Sequence, residues 1–254
     1  MSTSTRSWRV PFAVLCFWFF PLGAFAAAAD TDGDGLLDVW EERLFRTRTD
    51  VADTDGDGFA DGVEVRSGFD PLQARPGARL VEQDGDADGL ADALEIAFGS
   101  DPLDGDTDRD GYQDGTEVKN AYDPVRGEAK SLEKRIRVDL SEQRLYQELN
   151  GVVIATHPVS SGKARTPTPA GTFKITTKSP RAWSGSAKLW MPYWMGFKGW
   201  TYGIHELPEW PGGKKEGKDH LGTPVSHGCV RVGEGVSKLL YDWTPIGTTV
   251  VIQR

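Results

Sequence analysis

The sequence is poor in cysteine, in basic charge and in long apolar runs. Of 254 residues, two are Cys and three are Met. Two thiols exclude a disulfide-stapled scaffold and a Cys-rich zinc protein. The formal net charge is -9, which argues against a general nucleic-acid binder, because that role needs a basic footprint. The longest apolar run, residues 10–22, falls short of the roughly 20 residues that a membrane-spanning helix needs. The hydrophobic fraction of 38% is low, so part of the chain is expected to lack an ordinary core.

The short run reads as an address. Arg6 and Arg9 precede it with no acid, Pro11 and Pro21 bracket it, and Ala24-Phe25-Ala26 follows. A basic start, an apolar middle and small residues at the end make a secretory signal. Residues 1–26 are expected to be removed after Ala26. The mature protein is then exported to the periplasm or cell surface, with no stable membrane span. A retained membrane anchor is the blander alternative. Leu15 stands where a lipoprotein site at Cys16 would need a small residue. Cleavage leaves Cys229 as the one thiol, and an odd Cys in a secreted protein is a reactive group or an intermolecular bridge.

The acidic charge is concentrated in four copies of one template, Asp-x-Asp-x-Asp-Gly-x-x-Asp-x-x-Glu, within residues 27–125. The first has Asp30, Asp32, Asp34, Asp38 and Glu41; the second has Asp53, Asp55, Asp57, Asp61 and Glu64. The third has Asp84, Asp86, Asp88, Asp92 and Glu95; the fourth has Asp106, Asp108, Asp110, Asp114 and Glu117. Carboxylates at positions one, three and five, a Gly at six for the turn and a Glu at twelve suit a hard cation that takes six to eight oxygens. Calcium is the expected structural ion, since magnesium keeps its waters. An acidic disordered tract is the alternative, but four copies in register argue against it. The loops begin at 30, 53, 84 and 106. The short intervals leave room for one exit helix each, expected at 39–45, 63–67 and 93–98, and not for the helix pair of an EF-hand. The array resembles thrombospondin type 3 and related bacterial calcium repeats.

Residues 126–134 read as a charged linker, and the composition then changes. Short β-branched or aromatic strands are expected at 135–140, 144–148, 152–159, 171–176, 201–204 and 248–252, broken by Gly, Asn or Pro. One helix is expected at 234–243, with Val236, Leu239, Leu240 and Trp243 on its buried face. Residues 135–254 thus read as a mostly β domain with one packed helix.

That domain carries Ser226-His227-Gly228-Cys229-Val230-Arg231. A thiol beside an imidazole suits a thiolate nucleophile, and a neighbouring Gly lets a substrate approach the backbone. The N–H groups around Gly228 and Cys229 are candidates for an oxyanion hole. His157 and His220 read as structural or loop residues. Trp183, Trp190, Trp194, Trp200 and Tyr202 suit a substrate groove or a core equally.

The hexapeptide, with Gly203-Ile204-His205 upstream, resembles the L,D-transpeptidase catalytic domain family of bacterial cell walls. So do Val138 to Leu145, the Pro-rich turn Thr166 to Phe173, Met191-Pro192-Tyr193-Trp194 and Leu221-Gly222-Thr223-Pro224-Val225. The resemblance implies an L,D-transpeptidase-type β-sandwich. It also implies Cys229 as nucleophile, His205 as proton acceptor and donor, and His227 as a second His aiding thiolate or oxyanion. Ser226 and Gly228 would shape the loop, while Arg231 and Tyr202 would bind substrate. The implied partner is the peptidoglycan stem peptide, with no cofactor for the chemistry. Two departures stand out: Glu206 replaces the usual Gly after the His, and extra length falls around 212–218, expected to form a basic loop at the cleft edge, where lids often sit. Two other functions are open, a calcium-dependent surface-binding module and a Cys-dependent L,D-carboxypeptidase or endopeptidase.

Overall fold

A computed structural model describes residues 28–74, 80, 83–127 and 130–254. The signal-peptide expectation lies outside the described residues. Among the described residues no helix is long and apolar enough to cross a membrane. Contacts divide the chain into two units: Met1–Val63 with Pro71–Arg75, and Glu64–Asp70 with Pro76–Arg254.

Each repeat ends in a short helix that starts at its position-nine Asp. These are α1 (Asp38–Trp40, continuing as a π-turn through Glu41–Phe45), α2 (Asp61–Ser67), α3 (Asp92–Phe98) and α4 (Asp114–Lys119). The helices are one or two turns long, as the intervals require, and α4 adds one that the sequence reading did not place. The position-six glycines Gly35, Gly58, Gly89 and Gly111 have φ between 92 and 97°. A side chain there would be strained in all four loops. The loops also pair. Asp34 accepts the N–H of Gly62, and Asp88 accepts the N–H of Gly115, at 2.8 and 2.6 Å.

In the second unit, nine strands form one curled sheet. They are β1 (Lys134–Asp139), β2 (Arg144–Leu149), β3 (Val152–Ser160), β4 (Gly171–Lys174), β5 (Thr177–Ser184), β6 (Leu189–Lys198), β7 (Tyr202–Glu206), β8 (Val230–Val232) and β9 (Thr249–Gln253). Their order is β4-β9-β1-β2-β3-β8-β7-β6-β5. Strand β3 joins the halves: its body pairs with β2, and Val159 and Ser160 at its end pair with β8. Alternate residues point inward, as pleating dictates. Ile136, Val138, Val250 and Ile252 from one half meet Met195, Phe197, Ile204 and Val230 from the other in one core.

The mostly β class with one packed helix stands, with details corrected. Strands β5, β6 and β8 were not expected. Pro180 and Pro192 interrupt the first two; β5 is an edge strand, where Pro is tolerated. Helix α5 (Val236–Trp243) buries Ser237 and Leu240. Leu239, expected inside, is 71% exposed, because the buried face centres on Ser237, Leu240 and Tyr241.

The second pair of repeats shares a core with this sheet. Leu90 and Val118 from the repeats pack with Leu132 and Leu149, flanked by Leu94, Phe98, Ile154 and Trp243. On either side of residues 124–129, within which the expected linker 126–134 begins, 121–123 pair with 130–132: Leu132 donates to Ala121, Asp123 donates to Lys130, and Tyr122 bridges Ser131.

Candidate active site and cation loops

Strands β7 and β8 run parallel with His205 opposite Arg231. The loop before β8 brings Cys229 to the same place. His205, Cys229 and Arg231 line one cleft of about 1090 Å³, with Ser226, His227 and Glu216 also on its wall.

His205 is 3% exposed. Its Nδ1–H donates to the Glu206 backbone carbonyl at 2.5 Å, which fixes the tautomer and leaves Nε2 to act as a base. Burial, with Arg231 adding, lowers its pKa to about 4. The ring is therefore neutral at neutral pH. Burial pushes the Cys229 thiol up, against the Gly203 N–H and Arg231, which stabilise the thiolate. The lowered thiol expected from the neighbouring imidazole is not what the structure gives. The resting pair is a neutral thiol and a neutral imidazole, because desolvation outweighs the stabilising contacts.

Ser226 closes the loop from inside. Its Oγ donates to the Cys229 carbonyl at 2.6 Å and accepts the Gly228 N–H at 3.1 Å. Its carbonyl accepts from Lys163 N–H and Thr166 Oγ. The Gly228 N–H, a candidate for the oxyanion hole, is engaged within the loop. Gly228 has φ 111°, and a Cβ there would lie 2.5 Å from Cε1 of Tyr202. Tyr202 packs on that glycine and is not on the cleft wall. His227 is exposed, and Lys163 Nζ donates to its Nε2 at 3.4 Å.

The five aromatics divide. Trp194 is 1% exposed and stacks with Trp200 and with His205. Trp183 and Trp200 stand exposed on the cleft wall, and Trp190 meets Trp183 edge to face at 4.9 Å.

The segment around 212–218 is fastened rather than free. Lys215 Nζ lies 2.5 Å from the buried carboxylate of Glu206, which also accepts from Ser237 Oγ at 2.6 Å. The Glu216 N–H donates to the Pro208 carbonyl at 2.9 Å. Glu216 in turn meets Arg231 Nη1 at 3.4 Å. The two departures from the family pattern are thus bonded to each other. The roles of Glu216 and Lys163 were not legible, because their partners lie far away in sequence or in an insertion with no motif.

In the repeats, one carboxylate oxygen each from positions one, three and five cluster in every copy: Asp30/Asp32/Asp34, Asp53/Asp55/Asp57, Asp84/Asp86/Asp88 and Asp106/Asp108/Asp110. Within each cluster these atoms lie inside 4.8 Å of one another. Asp88, Glu95 and Asp114 form a further cluster. Buried carboxylate oxygens lacking a hydrogen-bond partner occur at position three (Asp32, Asp55, Asp86, Asp108), at position twelve (Glu41, Glu95, Glu117) and at position nine of the third copy (Asp92). Such groups are costly unless a cation or proton satisfies them. Burial, reinforced by neighbouring Asp charges, pushes Glu95 up to about 9 and Glu41 and Glu117 up to about 7. Position nine is fully partnered in three of the four copies. Asp38, Asp61 and Asp114 each accept the backbone N–H and the hydroxyl of the position-two Thr. Gly85 replaces that Thr in the third copy, and Asp92 keeps only the backbone bond to it.

The cleft defines a mostly β domain with a buried imidazole and a thiol at one site. Residues 133–252 match the family model of the L,D-transpeptidase catalytic domain, and residues 30–44, 53–74 and 84–105 match that of the bacterial TSP3 repeat. That segment is similar to the L,D-transpeptidase catalytic domain, and the Asp-rich segments before it are similar to the bacterial TSP3 repeat. The chain is 31% identical over 121 residues to YkuD of Bacillus subtilis (strain 168), named as an L,D-transpeptidase, over 47% of this chain and 65% of that one. It is 32% identical over 124 residues to YciB of the same organism, named likewise, over 46% and 64%. Among solved structures it is similar to an L,D-transpeptidase from Mycobacterium smegmatis, with 22% identity and a TM-score of 0.44 over 49% of this chain and 60% of that one. The chain spans just under two thirds of the length of the curated relatives it matches.

Proposed function

We propose that the full chain is an exported peptidoglycan L,D-transpeptidase whose Asp-rich repeats bind calcium. The observation that carries the catalytic reading is the buried His205, with Nδ1 tied to Glu206, sharing one cleft with Cys229. In the proposed reaction, His205 Nε2 takes the Cys229 proton as sulfur bonds to the carbonyl carbon of the third stem residue, a diamino acid. The C–N bond to the terminal D-Ala breaks, and the imidazolium returns its proton to the leaving amine. The remaining thioester is attacked by an amine from a neighbouring stem. The C–S bond breaks, the thiol is regenerated and a cross-link forms. Arg231, buried on the cleft wall, suits a substrate carboxylate as a planar fork of donors. Ser226 and Gly228 hold the loop, and Tyr202 acts by covering Gly228. His227, exposed beside Lys163, is placed to aid the developing charge.

The unpartnered buried carboxylates support calcium in the four loops. Positions one, three, five and twelve would hold it, and the position-nine Asp would brace the loop. Calcium would supply structure there, with no part in the acyl transfer. The proposed organisation is a signal peptide at 1–26, a repeat array at 27–125 and the catalytic domain at 135–254.

The test is incubation of the protein with muropeptides, with and without calcium, followed by mass spectrometry. A Cys229 thioester and a cross-linked product are expected, and C229A is expected to give neither. A thioester that yields only hydrolysed stems would favour the carboxypeptidase or endopeptidase instead. Full activity of C229A would overturn the mechanism.

A further inference from the structure

We propose that Glu216 and Arg231 together form a subsite for an end group carrying both an ammonium and a carboxylate, and that Glu216 selects the ammonium. This rests on the transpeptidase reading and adds a specificity-determining residue to it.

Both side chains line the cleft that holds Cys229 and His205. Arg231 Nη1 and Glu216 Oε1 are 3.4 Å apart; the Arg side chain is 7% exposed and the Glu side chain 30%. The pair is loose for a charge-assisted contact, which closes to about 2.7–2.9 Å when optimised. It therefore keeps bonding capacity for a ligand. A ligand with a carboxylate alone would gain Arg231 but meet the Glu216 charge. One with an ammonium alone would gain Glu216 but meet Arg231. Only a group presenting both charges satisfies both walls, and like-charge juxtaposition rejects the others.

Glu216 is fixed in this position. Its own N–H is bonded to Pro208. The preceding Lys215 is anchored to Glu206 and lies 3.7 Å from Glu234. Glu209, which bridges Lys215 and Trp190, holds Arg181 at 2.6 Å. A segment held at so many points does not swing clear of Arg231, so the carboxylate is part of the cleft wall rather than a plug. His220 Nδ1 lies 3.9 Å from the same carboxylate oxygen.

The test uses the full chain carrying C229A, so that binding is read without chemistry. Three stem tripeptides differ only at the end of the third side chain. One ends in ammonium plus carboxylate, one in ammonium alone, and one in carboxylate with an acetylated amine. Calorimetry is expected to rank the first peptide tightest. Adding E216Q is expected to weaken it about tenfold, the low end for a charge contact that is partly exposed. The same change should leave the acetylated peptide equal or tighter, closing the gap between them. E216A serves if E216Q does not fold, and the melting temperature reports on that. Equal loss for all three peptides, tighter binding of all three, or no change overturns the proposal. Thioester formation by the unsubstituted chain is measured alongside. Its absence removes the transpeptidase reading, while the rank order of binding still decides the subsite.

Discussion

Glu206 holds Lys215 with its side chain at 2.5 Å and His205 with its backbone carbonyl at 2.5 Å. One residue therefore joins the inserted segment to the base of the proposed reaction. Glu206 is almost fully buried, so its charge depends on Lys215 and Ser237 for compensation.

Removing the cation is expected to show this link. Breaking a fully buried ion pair costs roughly 3–5 kcal/mol. Lys215 is about a third exposed, and solvent screening brings the expected loss for K215A to about 1–2 kcal/mol. Denaturant unfolding reads the stability. Acylation of Cys229 should slow as well, because the carbonyl that orients His205 loses its support. A stable variant with unchanged acylation would show that the strap does not position the base.

The pH dependence of stability follows from His205. Its folded pKa, about 4, lies below the ordinary 6.5, so between these values the unfolded chain binds more protons. Its contribution is complete above about 6.5 and is lost as pH falls through about 4, by up to about 3 kcal/mol. Unfolding curves from pH 7 to 4 are expected to be steeper for the native sequence than for H205N. On the alkaline side, alkylation of Cys229 by iodoacetamide should have a midpoint above the ordinary thiol range, since burial pushes the thiol up.

Gly228 has no room for a methyl group. G228A combines φ 111° with a Cβ 2.5 Å from the Tyr202 ring. The backbone strain costs on the order of 1–3 kcal/mol, and the ring must also move. Thioester formation is expected to fall at least tenfold, the effect of about 1.4 kcal/mol. G228A in a Y202A background should recover the clash but not the strain. Full recovery would place the whole effect in the ring.

Calcium should stabilise the repeats with an opposite response to pH. Without the ion, Glu95 is raised to about 9, and Glu41 and Glu117 to about 7. Each contribution is complete below the ordinary carboxylate value and is lost as pH rises through those higher values. With calcium the protons must leave, so affinity rises with pH across the same window. Melting temperatures with calcium and with chelator should diverge from pH 5 to 9. Constant separation would contradict proton competition at these glutamates.

The legible parts of this protein are those where spacing alone determines chemistry. The four loops could be placed to the residue because the pattern fixes six positions within each span of 12. The strands with clean alternation, such as β1 around Ile136 and Val138, were also readable. Strands β5 and β6 were hidden by Pro180 and Pro192, which only an edge position and an interrupted register accommodate. The Cys–His site was suggested by a motif, yet its electrostatics were not. Desolvation depends on what packs around His205 and Cys229, and that comes from residues distant in sequence. Position nine is not decided by spacing, because an Asp looks the same as a ligand and as a brace. The position-two Thr is the local signal that distinguishes them.

Leu149 lies at the end of β2, inside the family boundary, and is fully buried beneath Leu90 and Val118 of the repeats. A chain cut to begin at residue 133 would keep every residue of the cleft and still leave that leucine, with Ile154 and a face of Trp243, open to water. Trp243 closes helix α5, whose Ser237 bonds to Glu206 beside His205. The compact unit that holds the cleft is thus larger than the segment that matches the catalytic family, and the difference includes Asp-rich loops.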